Sequence, residues 1–78
     1  MKNTIIVCDY GWIFCGIKED ERDGATFLSG ASVVRLWSNG KGIGGLVKAE
    51  NKLEYTLDAI GDIEIKQNKI LFEIPCEW

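Results

Sequence analysis

Asp, Glu, Lys or Gly interrupts every apolar run of this chain before it grows long. None of these runs approaches the roughly 20 apolar residues that a membrane-spanning helix needs. The residues between the interruptions are rich in Val, Ile, Thr, Phe and Trp, which pack well on a pleated, half-buried surface. Strands are therefore read at residues 4–8, 12–19, 25–28, 31–37, 53–57, 62–66 and 70–76. Turn chemistry separates them: Asp23-Gly24 has the hairpin signature, and Ser29-Gly30, Asn39-Gly40, Ile60-Gly61 and Asn68-Lys69 close the other segments. Residues 46–50 read as one short helical turn, closed by Asn51. Pro75 falls late in the last strand, where a missing amide donor suits an edge. The expectation is a single domain over residues 1–78: mainly β, a small antiparallel barrel or sandwich of six or seven short strands with one short helical turn.

Alternation along a strand places Trp12, Phe14 and Gly16 on one face. By the same rule Ala31, Val33, Arg35 and Trp37 share a face, so Arg35 and Trp37 are expected side by side. A domain of 78 residues holds a limited core, so association with further copies would stabilise it. Trp78 is expected to dock on a neighbouring subunit, because an indole left in water is unfavourable.

Composition narrows the chemistry. Histidine is absent, which removes the commonest general base and the commonest zinc ligand. Cys8, Cys15 and Cys76 form no Cys-x-x-Cys pair, complete no four-ligand zinc site and have no histidine to activate them. An odd cysteine count without a disulfide framework points to a reducing compartment. The first apolar run is too short for a signal-peptide core. The expected location is the cytoplasm, with no membrane association. Asp58 and Asp62, or Glu64 and Glu73, have no spacing that marks a carboxylate pair for acid–base work. The expectation is a protein that is not an enzyme and carries neither cofactor nor metal.

The net charge is −3, unevenly spread. Residues 31–52 hold Arg35, Lys41, Lys48 and Lys52 against Glu50 alone, a basic segment within an acidic chain. That is too little positive charge for a duplex nucleic-acid binder but compatible with a small anion. The same segment contains Gly40-Lys41-Gly42-Ile43-Gly44-Gly45, which formally matches G-x-G-x-x-G. A dinucleotide fold needs a long helix after the loop and a parallel crossover, and the chain has room for neither. A phosphate-binding loop of the nucleotide triphosphatases needs Lys-Ser or Lys-Thr after its glycines, and here neither follows. The local physics remains: glycines admit close backbone approach, and free amides beside a lysine attract phosphate. The candidate ligand set is Lys41 and Arg35 for phosphate, the Gly42 and Gly44 amides in support, and Trp37 or Trp12 to stack a base. The plainer alternative is that these glycines only turn the chain and the tryptophans only fill the core.

Gly11-Trp12, Ala31-Ser32-Val33-Val34-Arg35-Leu36-Trp37, Lys41-Gly42-Ile43-Gly44 and Leu57-Asp58 together resemble a family of short uncharacterised phage and prophage β proteins. The chain departs from that pattern at Ala59-Ile60. The resemblance implies a small accessory protein, with no functional residue to transfer. Two expectations follow. One is a non-enzymatic homo-oligomer that captures a small phosphorylated, nucleotide-like ligand, as a counter-defence sponge for an immune signal would. The other is a protein-interaction or virion-structural module with no small-molecule ligand.

Overall fold

The computed structural model describes all 78 residues. It contains five antiparallel strands: β1 (Asn3–Cys8), β2 (Ile13–Arg22), β3 (Ala25–Trp37), β4 (Tyr55–Lys66) and β5 (Ile70–Pro75). They form one sheet in the order β4-β3-β2-β1-β5, curled into a half-barrel. The outermost strands are therefore β4 and β5. No helix is long and apolar enough to cross a membrane.

Five strands replace the expected six or seven, and glycine explains the difference. Residues 25–28 and 31–37 are one strand, as are residues 55–57 and 62–66, because Gly30 and Gly61 bend their strands without ending them. Both glycines take positive φ, 55° and 87°, and Ala31 pairs with Gly61 where the register shifts. The ladder resumes on either side, with Leu28 opposite Ile63 and Ser32 opposite Ala59. The carboxylate of Asp62 accepts the Gly30 amide at 3.1 Å, so the bent segment keeps its donor satisfied. Gly16 continues the line into β2, where a Cβ would stand 3.0 Å from the Cα of Ala31. Bulges bend a strand and raise its twist, so a row of them curls the sheet.

The expected helical turn is instead two 3-10 turns, Ile43–Val47 and Ala49–Glu54, split by extended backbone at Lys48. Leu53, expected in a strand, belongs to the second turn. Ile5 and Ile6 are adjacent on β1 and both fully buried, so β1 is covered on both faces. Ile5 packs with Cys15, Val34, Leu46, Tyr55 and Cys76 beneath the 3-10 turns. Ile6 packs with Cys8, Leu28, Ala31 and Ile65 on the other face. Leu46 anchors the turns, and its full burial contributes about 1.5–3 kcal/mol.

Trp78 docks on its own chain, correcting the expectation of a neighbouring subunit. Its indole Nε1 donates to the Leu46 carbonyl at 2.8 Å, and Lys52 Nζ lies 4.3 Å from the ring centroid. Its backbone oxygen accepts from the Asn3 amide at 2.7 Å. The indole finds a buried apolar body and a carbonyl within the chain, so the core it completes is its own.

Candidate functional site

The glycine-lysine loop is tied into the fold by side-chain hydrogen bonds, from Lys41 outward and from Asn51 and Tyr55 inward. Lys41 Nζ donates to both carboxylate oxygens of Glu54, at 3.0 and 3.1 Å, and to Asn51 Oδ1 at 3.0 Å. Asn39 also donates to Glu54, and the two donors hold that carboxyl below its ordinary range, Lys41 contributing most. Asn51 Nδ2 donates to the Gly45 carbonyl at 2.8 Å. The Tyr55 hydroxyl donates to the Gly42 carbonyl. Gly42 has φ 66° and ψ −168°, a region closed to residues with a Cβ, so its identity follows from the turn itself. Gly44 is exposed, with open space where a Cβ would be.

Arg35 and Trp37 are not neighbours on one face. Val34 pairs with Leu57 and Leu36 with Thr56, so the ladder skips Arg35 and the alternation shifts by one. Trp37 consequently packs against the cluster that holds Val34, its ring 5.7 Å from Tyr55. Arg35 points to solvent, and its Nε donates to Asp58 at 2.5 Å. Seven of the nine cations lie within ion-pair distance of a carboxylate, Lys2 and Lys52 being the exceptions. Such surface pairs contribute about 0–1 kcal/mol each.

Trp12 lies apart from these residues, with a different set. It borders an open groove of about 570 Å³ that runs between the β1–β2 turn and the second half of β4. Tyr10, Trp12, Phe14 and Ile60 supply much of its apolar wall; Lys66 and Lys69 are its cations, and Asp9 and Glu64, which also line it, balance them. The Trp12 and Phe14 rings are stacked, 7° from parallel with centroids 6.2 Å apart, as two residues on one face of a strand allow. Trp12 is 56% exposed and Tyr10 93% exposed. Lys66 pairs with Glu64 at 2.8 Å, and Lys69 with Asp9 at 3.7 Å. Cys8 also lines the groove, and burial, followed by the charge of Asp9, pushes its thiol pKa up. A protonated thiol is a poor nucleophile, so Cys8 adds apolar surface to the groove and not a reactive thiolate. A second groove, of about 350 Å³, carries Glu19, Asp62 and Glu64, the wrong sign for an anion.

The β1–β2 turn is unusual. Tyr10 has φ 58° and ψ 20°, Gly11 has φ 78°, and the Trp12 amide reaches the Asp9 carbonyl at 3.4 Å, the shape of a type I′ turn. Asn, Asp or Gly suits the first central position, as Asp23 does in the other hairpin with φ 54°. A tyrosine there costs about 1–2 kcal/mol, and an exposed ring recovers none of it by packing. Sequence reasoning found Trp12 but missed Tyr10, Phe14, Lys66 and Lys69. The available signal was an aromatic immediately before Gly11, where a tight hairpin favours a small polar residue.

No family model matches the sequence, and no curated protein matches it. Among solved structures the chain is similar to a heptameric archaeal Sm protein, described for its implications for the eukaryotic snRNP core. The TM-score is 0.64 over 95% of this chain and 84% of that one, at 13% identity. The likeness is one of fold: the half-barrel is Sm-like.

Proposed function

We propose that this chain is a non-enzymatic binding module that assembles edge to edge with copies of itself and captures a small phosphorylated, nucleotide-like ligand. The carrying observation is that both outer strands present apolar side chains to water. Ile60 on β4 is 44% exposed, and Leu71 and Phe72 on β5 are 66% and 49% exposed. An unpaired strand edge is a template for another strand, and exposed apolar groups beside it add an area term to the pairing. Pairing β4 of one copy with β5 of the next is heterologous and closes into a ring when the rotation permits. The heptameric state of the structurally similar Sm protein supports that reading. Assembly multiplies the net charge of −3, which disfavours duplex nucleic acid. In the phage setting implied by the resemblance, such an assembly would act as a sponge for a nucleotide signal. The alternative, an interaction or virion-structural module, draws on Trp78 and an edge strand; the indole is engaged within the chain, while the exposed outer strands suit that alternative as well.

The test is native mass spectrometry of the wild-type chain beside Leu71→Lys and Ile60→Lys, with circular dichroism as the control for folding. A discrete oligomer that either substitution reduces to folded monomers is expected. A wild-type chain that stays monomeric at tens of micromolar would refute self-assembly.

A further inference from the structure

We propose that the ligand site is the aromatic groove beside the β1–β2 turn, and that its ligand class is a nucleotide whose base lies on Tyr10 and Trp12 and whose phosphate meets Lys66 and Lys69. This rests on the binding-module reading and moves its site away from the glycine-lysine loop. Three observations converge on it.

Tyr10 occupies a left-handed position that tyrosine disfavours, with a ring 93% exposed. Strain at a residue that contributes nothing to packing is explained by a contact outside the fold. The groove volume, about 570 Å³, lies in the range of small-molecule sites, and Tyr10, Trp12 and Phe14 give its wall an aromatic side. Every nucleobase offers a flat π-face to such a wall. Lys66 and Lys69 stand in the same groove, paired with Glu64 at 2.8 Å and with the half-buried Asp9 at 3.7 Å. Both carboxylates line the groove, so a phosphate must displace them from the two lysines. By contrast, Lys41 is engaged by Glu54 and Asn51 together.

The experiment uses the intact assembly and calorimetric titration with AMP, ADP-ribose and cyclic di-AMP, with ribose 5-phosphate as the probe that lacks a base. At least one base-bearing probe should bind, with ribose 5-phosphate at least a hundredfold weaker. Tyr10→Asn should weaken binding at least tenfold while raising the thermal midpoint by about 4–8 °C, because asparagine suits the turn. That opposite movement of affinity and stability separates a contact residue from a structural one. Lys66→Ala with Lys69→Ala should weaken binding and flatten its salt dependence. Affinity unchanged within twofold in both Tyr10→Asn and Trp12→Ala overturns the proposal, as does ribose 5-phosphate binding as tightly as AMP. If nucleotides bind and only Lys41→Ala abolishes it, this site is wrong and the ligand reading stands. If no base-bearing probe binds an assembly whose native mass is intact, both fail and self-assembly alone remains.

Discussion

Gly44 and Gly45 are neighbours in the glycine-lysine loop, and alanine should affect them in opposite directions. A Cβ on Gly45 would lie 2.5 Å from Tyr55 Oη and 2.6 Å from Lys41 Cβ, about an ångström inside ordinary contact. Tyr55 has little room to retreat. Its ring is buried beside Trp37, and its hydroxyl donates to the Gly42 carbonyl. Losing that hydrogen bond costs about 1 kcal/mol. Forcing a methyl group into packed surroundings costs about 1–3 kcal/mol. Gly45→Ala should therefore lose about 2–4 kcal/mol, a large part of the roughly 4–12 kcal/mol expected of a domain this size. Gly44 has nothing within 4 Å of its Cβ position, and its φ lies outside the left-handed region. Gly44→Ala should be neutral or gain up to about 1 kcal/mol, because alanine lowers the entropy of the unfolded chain. Urea unfolding, followed by circular dichroism and tryptophan fluorescence, measures both at one protein concentration, so that any self-association contributes equally. A ligand cradle would keep both glycines open, and neither substitution would alter stability. Gly45→Ala within about 0.5 kcal/mol of wild type would refute the packing argument.

Glu54 is held below its ordinary pKa of 4.5, by Lys41 first and Asn39 second. Its contribution is complete above pH 4.5 and fades as pH falls through the lowered folded value, so Glu54→Gln should flatten the acid limb of the melting profile. An unchanged acid limb would contradict this. Burial pushes the Cys15 thiol up to about 12, with further upward contributions from Cys76 beside it. The neutral thiol is the folded form, so that stabilisation is complete below pH 9.0 and is lost as pH rises toward about 12. All three cysteines are buried, so Ellman's reagent at pH 8 should label the native chain slowly and three thiols only after urea; rapid native labelling would count against the packing. Trp78→Ala removes the indole bond to Leu46 and the cover over the first core cluster, for about 2–4 kcal/mol by equilibrium unfolding. Its native mass should match wild type, and dissociation of the assembly would place Trp78 at an interface after all.

Strand content was legible in the sequence wherever β-branched runs were long, and β1 and β5 emerge close to their expected bounds. Strand count was not, because glycine has two opposite uses. Asp23-Gly24 ends a strand and makes a hairpin, whereas Gly30 and Gly61 sit inside strands and bend them. Only the pairing of Ala31 with Gly61 separates the two cases, and that pairing joins residues 30 apart in the chain. The same limit affected the candidate site. Alternation put Arg35 beside Trp37, and a one-residue irregularity at Arg35 parted them. The basic segment was visible as charge, but its partners Glu54 and Asp58 lie just beyond it, so its apparent excess is compensated in space.

The groove has the reverse character: nothing in local composition marks it, and long-range pairing creates it. Cys8 pairs with Ile70, which brings the β1–β2 turn and the β4–β5 turn to the same end of the sheet. Asp9 and Lys69 then face each other across 3.7 Å, and aromatics near the start of the chain meet lysines near its end. Lys69 closes the turn that leads into β5, the outer strand with Leu71 and Phe72 exposed. The groove therefore adjoins the start of that exposed outer strand, and composition near either end of the chain could not have revealed it.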